Sequence, residues 1–238
     1  MAEDLAAEPV DYAGMRGVEG RNAEAARPLQ AEGEERVHPI EMDVLSEDSC
    51  AAAVEAIHAA NLHLDVVVNN AGMLMNGMAE TFTPDQFLTI LDTNAVSWLR
   101  VNRAVLPMMR EQGHGTIVYV GSTTSYIPEP FIGVYEASKA AGDALARAMA
   151  LEIRPFGIDS LFLVPGAFPV GTDHFADAHT GDDRGRVDHV FIDGQAKGAD
   201  VIAETMGEAQ ARFIERLGFV DLLAPMQRRM LNVPERPC

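Results

Sequence analysis

The sequence predicts a doubly wound α/β fold around a parallel sheet, on three observations. Apolar runs of strand length alternate with longer helical patterns along most of the chain. One run, LDVVVN at 64–69, has the unbroken apolar character of a strand buried on both faces. Polar and small residues with chemical potential follow directly on strand ends, where such sheets bind ligands. The length of 238 residues suits one domain with a single core.

The elements follow in order. Residues 10–15 form the first strand candidate, 21–32 a helix and 37–42 a second strand. Ser46 can cap a helix running to Asn61, with Glu47 and Asp48 in its first turn. After the strand 64–69, Thr83 can cap a long helix with Phe87, Leu91, Asn94, Trp98, Val101, Val105 and Met108 on one stripe. Residues 116–120 read as a strand, 137–153 as an alanine-rich helix and 158–164 as a strand. An irregular acidic stretch at 172–186, a strand at 187–192 and a helix at 199–217 complete the reading. The whole chain is expected to form one domain, with 172–238 as a divergent C-terminal region.

Composition narrows the function classes. Hydrophobic residues make up 47 % and charged residues 23 %, a globular balance. Acids outnumber bases 36 to 18, and the net charge of −18 repels phosphate backbones and anionic lipid. This argues against nucleic-acid and membrane-surface roles. Two cysteines, Cys50 and Cys238, make neither a disulfide framework nor a metal cluster. The acidic start lacks the pattern of a signal peptide, no apolar run is long enough to span a membrane, and a cytoplasmic location is expected.

Chemistry concentrates at Tyr135-Glu136-Ala137-Ser138-Lys139, at the head of a helix. Residues at i and i+4 share a helical face. An ammonium near a phenol stabilises the phenolate and makes tyrosine a usable acid or base. The chain has 16 arginines and only two lysines, Lys139 and Lys197, so a lysine here hints at a need for a compact ammonium. Ser122, just past a strand, either lines a loop or hydrogen-bonds a substrate oxygen. Asn94 falls on an apolar stripe, where an unpaired amide costs about 1–3 kcal/mol. It either ties two backbones together or holds a water. Asn69-Asn70-Ala71-Gly72 ends a strand with small residues, which suit a turn or the close approach of a ligand.

In this order and spacing, Asn69-Asn70-Ala71-Gly72, Asn94, Ser122, Tyr135 and Lys139 resemble the short-chain dehydrogenase/reductase family. Asp43-Val44 and Pro165-Gly166, each after a strand, also match. The resemblance runs from about residue 12 to 170. It implies that Tyr135 is the catalytic acid/base and Ser122 steadies the substrate oxygen. It implies that Lys139 lowers the Tyr135 pKa and holds the nicotinamide ribose, while Asn94 keeps a water in a proton relay. Asp43 meets the adenine, Val44 supplies its backbone surroundings, Asn70, Ala71 and Gly72 meet the adenosine side, and Pro165 and Gly166 also belong to the cofactor-binding set. Arg16, just after the first strand, matches a position that favours the phosphate of NADP. The expected activity is NADP(H)-linked interconversion of an alcohol and a carbonyl, NAD being the other possible cofactor. The partners are a small-molecule substrate and a second copy of the chain in a homodimer or homotetramer, joined through helices around 85–110 and 137–153.

Three features depart from the family pattern. Its opening strand and TGxxxGxG turn find no counterpart, residues 1–8 resemble only the tail of the helix after that turn, and Gly14, Gly17 and Gly20 follow the strand that matches its second. A doubly wound sheet that is incomplete at the N-terminal side, with a gap or substitution at its centre, is therefore expected. Val170 stands where the family places Thr, with Thr172 two residues on, and 172–186 is short for a substrate cover. An alternative reading is a catalytically inactive binding or scaffold protein of the same fold. A cofactor-free enzyme of this fold is disfavoured, because such relatives carry Arg in place of Lys139. Phe131, Phe168 and Phe175 suggest an apolar pocket.

Overall fold

Cap chemistry and apolar periodicity account for most element boundaries in the computed structural model, which describes residues 10–32, 37–129, 131–165 and 178–182. Strand β1 (Asp11–Met15) leads into α1 (Ala23–Glu32) and β2 (Val37–Glu41). Helix α2 (Glu47–Asn61) is capped by the Ser46 hydroxyl, which accepts from Ser49 N–H, as the sequence predicts. Strand β3 (Val66–Asn69) follows. Helix α3 (Pro84–Leu91) opens with a reciprocal box of Thr83 and Gln86 and with Pro at its start. One π turn, Asp92–Val96, joins α3 to α4 (Ser97–Gln112). Strand β4 (Gly115–Val120), helix α5 (Gly133–Ile153) and strand β5 (Ile158–Leu163) complete the described alternation.

The described strands are parallel and form two separate sheets. β1 pairs with β2, while β3, β4 and β5 form a separate three-stranded sheet in that order. Among the described residues no pairing joins the two. The main core lies between β3–β5 and the helices α2, α4 and α5, around Trp98, Val105, Met109, Ile117, Tyr119 and Ile153. A smaller cluster of Leu74, Met75, Ile90, Ile132, Val134 and Tyr135 sits under the start of α5.

Three expectations are corrected. LDVVVN is not buried on both faces: Val66 and Val68 are 53 % and 57 % exposed, and Leu161 and Leu163 on β5 are 56 % and 53 % exposed. Among the described residues, α4 and α5 cover one face of this sheet and no helix covers the other. The long helix after Thr83 is not continuous either. The π turn inserts one residue, so the phase changes across it: ahead of it Ile90 rather than Leu91 is fully buried, and after it Trp98, Val101 and Val105 are buried as predicted, with Met109 in the core and Met108 packed at its edge. Helix α5 starts four residues earlier than predicted, at Gly133, because its cap, Ile132, carries no side-chain hydrogen bond that a sequence could reveal. Residues 178–182 fold back over the loop after β3. His179 bridges to Met75, and Gln86 Nε2 donates to the Thr180 carbonyl. The expected strand at 187–192 and helix at 199–217 lie outside the described residues, as do Phe168, Phe175, Val170 and Thr172. Among the described residues no helix is long and apolar enough to cross a membrane.

Candidate active site

Strand ends bring the predicted residues together. β3 delivers Asn69 to the turn Asn70-Ala71-Gly72, and β4 delivers Gly121 and Ser122 beside it. Helix α5 runs past both, with Tyr135 and Lys139 buried on one face. The i, i+4 spacing therefore does what the sequence predicts.

Burial pushes the Tyr135 phenol above its usual pKa, and a hydrogen bond with Ser122 opposes that shift. Ser122 Oγ also accepts from Thr124 Oγ1 at 2.9 Å. Lys139 is directed elsewhere. Its Nζ donates to the Val120 carbonyl at 2.9 Å and lies 5.5 Å from the centroid of the Trp98 ring. Burial lowers its pKa to about 8, and the charge of Asp143 acts in the opposite direction. In this geometry burial and the Ser122 hydrogen bond are the two opposed influences on the Tyr135 phenol.

Asn94 occupies the π turn and is fully buried. Its Oδ1 accepts from Met73 N–H at 2.8 Å. Its Nδ2 donates to the Met73 carbonyl and to Ser138 Oγ, both at 2.9 Å. Of the two roles open from sequence, the side chain takes the first: it ties the loop after β3 to the π turn and to α5. Gly72 sits where this amide and the ammonium converge. A Cβ there would come within 3.1 Å of Asn94 Oδ1 and 3.6 Å of Lys139 Nζ, so glycine keeps the space beside them open.

The outer residues form a second group. Asp43 follows β2, and its Oδ1 accepts from Leu45 N–H at 3.0 Å. Val44 packs against the main core, and its carbonyl accepts from Arg100 at 3.4 Å. Asn70 and Ala71 are exposed, and Pro165 follows β5, its carbonyl accepting from Thr123 N–H at 3.4 Å. Gly166 lies outside the described residues. Arg16 is exposed at the end of β1. The turn that follows it is held by a residue the sequence reading missed. Glu41, the last residue of β2, accepts from Gly17 N–H at 2.8 Å and Val18 N–H at 2.9 Å. Those two bonds, and then Arg21, hold its carboxyl below the usual range. A polar pair under Asn69 was also missed: Asn69 Nδ2 donates to Asn102 Oδ1 at 3.1 Å, and Asn102 Nδ2 to Tyr119 Oη at 2.9 Å. The signal for it was Asn102 on the apolar face of its helix, as for Asn94.

The sequence model of the family described as short chain dehydrogenase matches residues 1–182. This chain belongs to that family. It is 35 % identical to the 3-ketodihydrosphingosine reductase of Bacteroides thetaiotaomicron over 136 residues, covering 57 % of this chain and 51 % of the reductase. It is 31 % identical to the sulfoacetaldehyde reductase of Chromohalobacter salexigens over 191 residues, 79 % of this chain and 74 % of that one. The crystal structure of a short-chain dehydrogenase from Streptomyces avermitilis superposes with a TM-score of 0.67 at 26 % identity, covering 90 % of this chain and 77 % of that one. The chain spans about half the length of several curated relatives, the Bacteroides reductase among them.

Proposed function

We propose that this short-chain dehydrogenase interconverts an alcohol and a carbonyl with NADP(H), using Tyr135 as the general acid/base. The observation that carries the reading is the meeting of Ser122, Tyr135 and Lys139 beside Gly72 at the carboxyl ends of β3 and β4. The names of the two reductases above support a carbonyl substrate.

The residues fit a nicotinamide cofactor. The space kept open at Gly72 adjoins Lys139 and Asn94, and Asn70 and Ala71 present exposed backbone next to it. Lys139 and Tyr135 would hold the ribose end and Arg16, Asp43 and Val44 the adenosine end, with Pro165 and Gly166 also assigned to the cofactor. The bound cofactor supplies or accepts the hydride. Ser122 and Tyr135 donate hydrogen bonds to the substrate oxygen and stabilise charge that develops there. The raised pKa keeps the free Tyr135 protonated at neutral pH, the form that gives a proton to a carbonyl oxygen. Any relay role of Asn94 falls to its backbone carbonyl, because its side-chain amide is engaged by Met73 and Ser138. Titration of the purified protein with NADPH, followed by fluorescence, tests the reading. A folded protein that binds no nicotinamide cofactor overturns it in favour of the scaffold reading.

The choice of cofactor rests on opposed charges. Arg16 can pair with a 2′-phosphate, while the Glu41 carboxylate already occupies the two N–H groups beside it. Arg16→Ala should lower the NADP/NAD affinity ratio several-fold, and Glu41→Gln should raise it. Ratios unchanged in both variants would remove Arg16 and Glu41 from the cofactor site. The protein should also be a dimer or tetramer through α4 and α5, and light scattering that gives a monomer at micromolar concentration would refute this.

A further inference from the structure

Asp143 lies one helical turn beyond Lys139 on α5, and the two are 6 % and 5 % exposed. A buried ammonium is unfavourable without compensation. Among the described residues, the groups that face it from other elements are uncharged: the Val120 carbonyl, the Trp98 ring, the Asn94 amide and the Gly72 backbone. On its own helix, Tyr135 is engaged with Ser122. Arg147, one turn past Asp143, turns its guanidinium over the rings of Tyr126 and Phe162. That leaves Asp143. Its Oδ2 has no hydrogen-bond partner among the described residues, so no local network explains the burial of this carboxylate. The carboxylate packs on Gly121, where a Cβ would stand 2.9 Å from Oδ1. Gly121 is the neighbour of Val120, whose carbonyl holds the ammonium.

We infer that Asp143 is the buried counter-charge of Lys139, a positioning residue that keeps the ammonium protonated and seated at the end of β4. This rests on Lys139 being an active-site group, as proposed above. In this role Asp143 needs no contact with substrate or cofactor. It acts through Lys139, whose pKa burial alone drives down and Asp143 pulls back. Gly121 belongs to the same device, since a side chain there would push the carboxylate away.

The two-lysine composition makes a direct test possible without substrate or cofactor. In a Lys197→Arg background, lysine-selective 13C labelling leaves one side-chain signal, and NMR follows its titration with pH. Asp143→Asn should lower the Lys139 midpoint by about one pH unit or more, a tenfold change in protonation. Gly121→Ala should move it the same way, and Asp143→Glu should keep it near the parent value. Thermal melts identify the folded variants, and if Asp143→Asn does not fold, Gly121→Ala decides by the same readout. A midpoint unchanged in the folded variant overturns the inference. If the midpoint shifts while the parent protein binds no nicotinamide cofactor, the charge pair stands and the proposed function falls.

Discussion

Tyr135→Phe should reduce turnover of a carbonyl or alcohol substrate by about 10²–10⁴-fold, the range that a positioned acid or base contributes. The fold should survive. The Tyr135 ring packs with Leu74, Met75 and Ile90, and phenylalanine keeps that packing. Loss of the hydroxyl removes the bond with Ser122, whose Oγ keeps the hydrogen bonds donated by Thr124, so the stability change should be about 1 kcal/mol. Steady-state kinetics and a thermal melt on the same sample check both halves. Near-normal turnover in the variant would disprove the role of Tyr135.

Asn94→Ala should destabilise the protein by about 3 kcal/mol or more. It removes three hydrogen bonds at once and leaves the Met73 N–H and carbonyl without the partner that holds them. For a chain of this size that corresponds to a melting point lower by about 10 °C. The loss should extend to the active site, because Ser138, which Asn94 also holds, donates to the Tyr135 carbonyl at 2.7 Å. Asn94→Asp keeps an acceptor for Met73 N–H but loses both donated bonds, so its melting point should fall between the two. A Tm within a few degrees of wild type for Asn94→Ala would show that the amide is not the clamp.

These residues also show what could be read from the sequence. Tyr135 and Lys139 were legible because helical spacing alone puts them on one face. Ser46 and Thr83 were legible because capping is local chemistry, complete within four residues. The π turn was not, since one inserted residue leaves both flanking stripes in order and changes only the phase between them. The exposure of Val66 and Val68 was not, because it depends on which elements cover the sheet, and strand composition is silent on that. Glu41 acts on a turn 24 residues away, which no short motif records. Asp143 had a signal in its spacing from Lys139, but an acid four residues from a lysine usually means a solvated helix face. Only the burial of both residues separates the two meanings.

Trp98 gives this arrangement a practical consequence. It is the single tryptophan of the chain, it is buried, and its ring lies 5.5 Å from the Lys139 ammonium and 5.3 Å from the centroid of Tyr119. Indole emission responds to nearby charge and to the polarity of its surroundings. The protein therefore carries an intrinsic optical reporter beside its proposed catalytic lysine, and one emission spectrum samples the protonation of that lysine and the packing of the main core together.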